Sequence, residues 1–90
     1  MSVLRRFSNV QFAARLHHVI TVRGRKPYNV ARSIGIADTA LYRNLRAAGG
    51  MRTDTLAALC TELQCSADWL LGIDKNAPEP GRDDPDGWLP

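Results

Sequence analysis

The stretch "VARSIGIADTALYRNLR", residues 30–46, decides the fold. Val30, Ala31 and Ile34 recur at helical spacing and give a short buried face. Gly35 stands where that helix should stop, because glycine takes the left-handed turn after a helix without a Cβ clash. Ile36 bridges to a second helix, with only one or two residues between the two. In that helix Leu41 and Leu45 fall on one side. Thr39, Tyr42, Arg43 and Arg46 fall on the other, spanning roughly a third of the circumference at about 100° per residue. No acid lies among those four. Solvated helix faces mix their charges, so a flank of two guanidiniums, a phenol and a hydroxyl asks for an anionic partner.

Working outward, the signals remain helical. In "FSNVQF" Ser8 is placed as an N-cap with Gln11 three residues on, a capping box, and Phe7 and Phe12 are spaced as a hydrophobic staple. A first helix is therefore expected from about Asn9, with Phe12, Leu16, Val19 and Ile20 as its apolar stripe and an end near Arg23 and Gly24. His17 and His18 project from its other side, and adjacent histidines on a helix cannot both face one metal. Pro27 suits the first position of the next helix, where its missing N–H costs nothing. The tight connection through Gly35 and Ile36 forces a sharp crossing angle, as in a helix-turn-helix. Residues 47–52, "AAGGMR", read as a loop. A fourth helix is expected from about Thr53, with Leu56, Leu59, Cys60 and Leu63 at core spacing, then a turn at Gln64 and Cys65. Ser66 and Asp68 open a short fifth helix whose Trp69 and Leu70 close the core. No segment alternates convincingly with period two, so the fold class expected is all-α, with five helices.

Ninety residues with 44% hydrophobic content suit one small domain, with no length left for a ligand-sensing unit. The net charge of +3 conceals an asymmetry. Residues 1–72 hold ten basic and four acidic side chains; residues 73–90 hold two basic and five acidic. A basic body thus carries an acidic tail, and the body favours nucleic acid or another anionic surface. No apolar run approaches the roughly 20 residues that span a bilayer, and "MSVLRRFSNV" lacks a signal peptide's apolar core, so a cytoplasmic location is expected and no membrane partner. Cys60 and Cys65 are too few for a disulfide scaffold and, five apart, do not share a helix face. Both are expected as reduced core thiols, and no metal site or cofactor is expected. The organisation expected is an N-terminal arm over residues 1–8, a helical body over 9–72 and an acidic, proline-rich tail over 73–90. The tail is expected to be largely disordered or extended, with Trp88 and Leu89 either idle or an anchor on the body or a partner.

Taken together, "VARSIGIADTALYRNLR" and "TLAALCTELQCSADWLLG" resemble the lambda-repressor and Cro type of helix-turn-helix domain. Val30, Ala31, Ile34, Gly35 and Ile36 meet that family's core and turn pattern. Asp68, Trp69, Leu70 and Leu71 meet its closing signature. The resemblance covers about residues 9–72 and implies a five-helix domain that binds DNA, usually as a dimer. Two departures stand out. Pro27 occupies the place where the family often has a base- or phosphate-contacting glutamine, so that contact is not expected. Ala37 replaces a capping hydroxyl, leaving Asp38 or Thr39 to cap the third helix.

On that reading the third helix enters the major groove. Arg43 is the first choice for direct readout, since its guanidinium can bond both O6 and N7 of guanine. Thr39 suits a thymine methyl or a phosphate, and Tyr42 either. Asp38 caps its own helix or accepts from a cytosine amino group. Arg46, further along, meets the backbone. Phosphate contacts are expected from Arg25, Lys26, Tyr28, Arg32 and Arg52, with Arg23 in the same basic cluster. A symmetric homodimer on a near-palindromic double-stranded operator is expected, with Leu71, Ile73 and Trp88 as the candidate joining surface. The function expected is transcriptional regulation, repressor-like or Cro-like, of phage or prophage type. Two alternatives remain: an antitoxin whose tail binds a protein partner, or an interaction module that has lost DNA binding. No catalytic constellation is visible.

Overall fold

The computed structural model describes residues 8–74 and 76–81. Five helices follow one another: α1 (Asn9–Val22), α2 (Pro27–Ile34), α3 (Asp38–Leu45), α4 (Thr53–Leu63) and α5 (Ala67–Leu71). There is no strand among the described residues.

The helix ends form where the local chemistry places them. The Ser8 Oγ accepts from the Gln11 N–H at 3.2 Å and starts α1. Phe7, the other half of the expected staple, lies outside the described residues. Pro27 opens α2, and Gly35 closes it at φ 81°. Ser66 caps α5, its Oγ accepting from the N–H groups of Asp68 and Trp69. The connection between α2 and α3 is one residue longer than the spacing suggested, comprising Gly35, Ile36 and Ala37. The expected cap from Asp38 or Thr39 is not formed. Ala37 is the N-cap residue and no side chain bonds the exposed N–H groups. Asp38 sits one position too late to cap, in the first turn, where its charge still complements the helix dipole.

Gly35 is a sensitive point because its φ of 81° lies in the left-handed region, while a Cβ there would meet nothing within 4 Å. The cost of Gly35→Ala is therefore conformational alone, about 1–2 kcal/mol. A urea titration should show a lower midpoint with unchanged slope.

The core consists of Phe12, Leu16, Val19 and Ile20 from α1, Val30 and Ala31 from α2, and Leu41 and Leu45 from α3. Leu59 and Leu63 of α4, Cys65, and Leu70 of α5 complete it. Helix α1 packs on α3 and α5, α2 packs on α3 and α4, and α4 packs on α5. The α2–α3 pair is thus clamped between α1 on one side and α4 on the other, which fixes the outer flank of α3.

Two features differ from the sequence expectation. Cys60 and Cys65 do meet, because Gln64 turns left-handed at φ 53° and brings the Cys65 N–H back to the Cys60 carbonyl at 3.0 Å. The five-residue spacing separates faces only on a continuous helix. A hydrogen bond with the Cys65 side chain holds the Cys60 thiol below its ordinary pKa, against the opposing effect of burial. The described part of the tail turns, the Ala77 N–H donating to the Asp74 carbonyl at 3.2 Å, and it does not leave the body. Pro80 is fully buried, and the His18 Nε2 donates to its carbonyl at 3.2 Å.

Candidate nucleic-acid interface

Helix α3 is eight residues long, about 12 Å at 1.5 Å per residue. Leu41 and Leu45 are buried, and Asn44 joins them on the inner side with its Nδ2 donating to the Ala40 carbonyl at 3.0 Å. Nothing in the sequence pattern pointed to Asn44. Its amide is satisfied within its own helix, which makes its burial tolerable. Asp38, Thr39, Tyr42, Arg43 and Arg46 are exposed. Tyr42 shows 41% of its surface to solvent, a large area for an aromatic side chain with no assigned contact. Arg43 also lines a cleft of about 550 Å³ between α3 and the start of α4, shared with Arg52 and Met51.

The cations around α3 fall into two groups. Lys26, Arg32 and Arg46 are exposed, and their side chains make no hydrogen bond or ion pair among the described residues. Arg25 and Arg52 have acidic neighbours instead. Arg25 Nη1 donates to Glu62 Oε2 at 2.9 Å and its Nη2 donates to Ser33 Oγ at 3.2 Å. Arg52 Nη2 lies 3.1 Å from Asp54 Oδ2 in a pair that is almost wholly in water. Such pairs are weak enough to be shared with a stronger anion. Tyr28 is 43% exposed in the first turn of α2.

Arg23 departs from the expected basic cluster. Its Nε donates to the Leu63 carbonyl at 2.8 Å and its Nη2 to the Gln64 carbonyl at 2.6 Å. The guanidinium thus binds the end of α4 to the end of α1, satisfying carbonyls that the helix leaves open. No local pattern in the sequence marks this role, since the partners are 40 and 41 residues away.

Of the candidate joining residues, Leu71 is half-buried and Ile73 is 70% exposed. Leu71 lines a second groove, of about 320 Å³, with Phe12, Met51 and Leu56. Asn9 also lines that groove, and Val10, the next residue, is 70% exposed. Trp88 lies outside the described residues. No group of three or more metal-ligating side chains occurs among the described residues, and none of their helices is long and apolar enough to cross a membrane.

Two short helices crossing through a left-handed glycine, with the second presenting a cationic flank, define a helix-turn-helix. The profile of the Cro/C1-type HTH DNA-binding domain matches residues 15–75, and the chain belongs to that family. It is accordingly a DNA-binding protein of the general kind that regulates genes. No curated protein and no solved structure is significantly similar to it.

Proposed function

We propose that this protein is a sequence-specific regulator of transcription, of phage-repressor or Cro type, that acts by occupying an operator. The observation that carries the reading is the outer flank of α3, where Thr39, Tyr42, Arg43 and Arg46 are exposed opposite the buried Leu41 and Leu45. A helix roughly 10–12 Å across fits a major groove about 12 Å wide. Arg43 reads guanine, Thr39 and Tyr42 contact a thymine methyl or the backbone, and Asp38 accepts from a cytosine amino group. Its free carboxylate at the start of α3 supports that last role over the capping one. Arg46 meets phosphate.

Lys26 and Arg32 supply phosphate contacts directly, while Arg25 and Arg52 turn from Glu62 and Asp54 toward the duplex, and Tyr28 adds a hydroxyl. One domain covers a single half-site, so two copies on a near-palindromic operator give the affinity and spacing such sites need. The groove lined by Leu71, together with the exposed Ile73 two residues on, is the surface proposed to join them.

Salt titration tests the reading. Five cations neutralising phosphate in each copy predict a slope of about −4 to −5 in log K against log salt per domain. A slope near zero, or no binding to any duplex at low salt, would leave the fold as a protein-interaction module.

A further inference from the structure

The turn that ends α4 is closed by two backbone bonds. The Gln64 N–H donates to the Thr61 carbonyl at 3.4 Å, and the Cys65 N–H to the Cys60 carbonyl at 3.0 Å. A closing turn of this kind commonly brings the side chains at its first and sixth positions into contact. After α2 the same pair of bonds closes on Ala31 and Ile36, and after α5 on Asp68 and Ile73. After α4 both contact positions are cysteine, and their side chains share a hydrogen bond.

The covalent frame limits how far apart these residues can lie. With 3.0 Å between the Cys60 oxygen and the Cys65 nitrogen, bond lengths hold the two Cα atoms within about 7 Å, the separation beyond which no disulfide closes without backbone movement. Arg23 pins the turn from outside, donating to the Leu63 and Gln64 carbonyls at 2.8 and 2.6 Å. The nearness of the sulfurs is thus built into the fold. Their surroundings differ. Cys60 is half-buried, while Cys65 is only 3% exposed, so a reagent arriving from water meets Cys60 first. The hydrogen bond with Cys65 also favours the Cys60 thiolate, the form that attacks.

We propose that Cys60 and Cys65 are a reversible oxidation site for hydroperoxides, with Cys60 as the attacking thiol and Cys65 as the one that closes the disulfide. The Cys60 thiolate forms an S–O bond as the O–O bond of the peroxide breaks, and Cys60 becomes a sulfenic acid. The leaving oxygen takes up the proton that Cys60 gave up and departs as an alcohol, or as water from hydrogen peroxide. The Cys65 sulfur then displaces the hydroxyl. The S–S bond forms, the S–O bond breaks, and the Cys65 proton leaves with the hydroxyl as water. The two sulfurs give up two electrons, and the peroxide takes up both. An external dithiol reverses the reaction by exchange. The closed bridge spans Glu62, which pairs with Arg25, and the carbonyls that accept from Arg23, so it fastens the support of the α1–α2 turn. The site does not depend on the DNA-binding reading.

The test treats the reduced full chain with hydrogen peroxide, alkylates it in denaturant and weighs the product. The parent should lose the mass of two hydrogen atoms, stay a single chain and carry no alkylatable thiol, with residues 60 and 65 joined in one cross-linked peptide. Dithiothreitol should restore both thiols. Cys65→Ala should stop at a sulfenic acid that dimedone traps on Cys60. Cys60→Ala should leave Cys65 reacting at least about tenfold more slowly. In glutathione buffers the folded parent should be half oxidised at a poise about tenfold less oxidising than the same chain needs in urea, a shift of about 30 mV.

Two thiols still alkylatable after peroxide overturn the inference, as does a product linked between chains. Equal poise in the folded and urea-unfolded chain overturns it too, because the turn then contributes nothing to closure. If the two alanine variants react at one rate, the assigned order of attack is wrong and the proposal falls with it. Should either variant fail to fold, the parent's product and poise decide alone.

Discussion

Leu41→Ala is expected to lower the unfolding free energy by about 3 kcal/mol, within the range for a fully buried leucine. The side chain is wholly inaccessible and belongs to the single core cluster. Small domains are stable by roughly 5–15 kcal/mol, so this one truncation removes a large share. The consequence for α3 is sharper than the number suggests. An eight-residue helix is far below the length at which isolated helices persist in water, about 12–15 residues. It has no side-chain N-cap either. Helix α3 therefore exists because Leu41 and Leu45 pin it to the core, and weakening the pin loosens the flank that faces outward. Thr39→Ala, two residues away on the exposed side, should change stability by no more than about 0.5 kcal/mol. Urea unfolding followed by far-UV circular dichroism checks the pair. A loss below about 1 kcal/mol for Leu41→Ala would mean that α3 is held by something other than its buried leucines.

The same contrast explains which parts of the structure the sequence made readable. Ser8, Pro27, Gly35 and Ser66 mark helix ends because the groups they serve lie within three or four residues along the chain. The outer flank of α3 was readable for a similar reason, since 3.6 residues per turn fixes which side chains oppose Leu41 and Leu45. Periodicity says nothing about partners brought together by packing. Arg25 meets Glu62 across 37 residues and His18 meets Pro80 across 62, and neither pairing leaves a trace in local pattern. Arg23 illustrates the cost of reading charge alone. It stands beside Arg25 and Lys26 in one basic cluster of the sequence, yet its guanidinium is committed to the carbonyls ending α4. The failed Asp38 cap has a different origin, because a cap requires the residue before the helix and the backbone begins α3 one position earlier than Asp38 needed.

Arg43→Ala should relax the proposed base preference at one position of the operator without abolishing binding. A bidentate guanidinium on guanine is worth about 1–3 kcal/mol of discrimination, so the variant should lose roughly 5- to 150-fold at that position only. Arg43 is exposed and its side chain makes no hydrogen bond or ion pair among the described residues, so its removal leaves no buried charge unpaired and stability should hold. Arg43→Lys separates geometry from charge. A lysine keeps the attraction to the duplex but cannot offer two parallel donors, so preference should fall while the salt slope stays the same. Arg46→Ala provides the opposite signature. Its loss should weaken all duplexes alike and reduce the salt slope by about one. Selection of bound duplexes from random DNA, run for the parent and these three variants, reads every arm at once. If Arg43→Ala behaves as Arg46→Ala is expected to, with uniform weakening and a shallower slope, then Arg43 contacts phosphate. Direct readout would in that case have to come from Thr39, Tyr42 or Asp38.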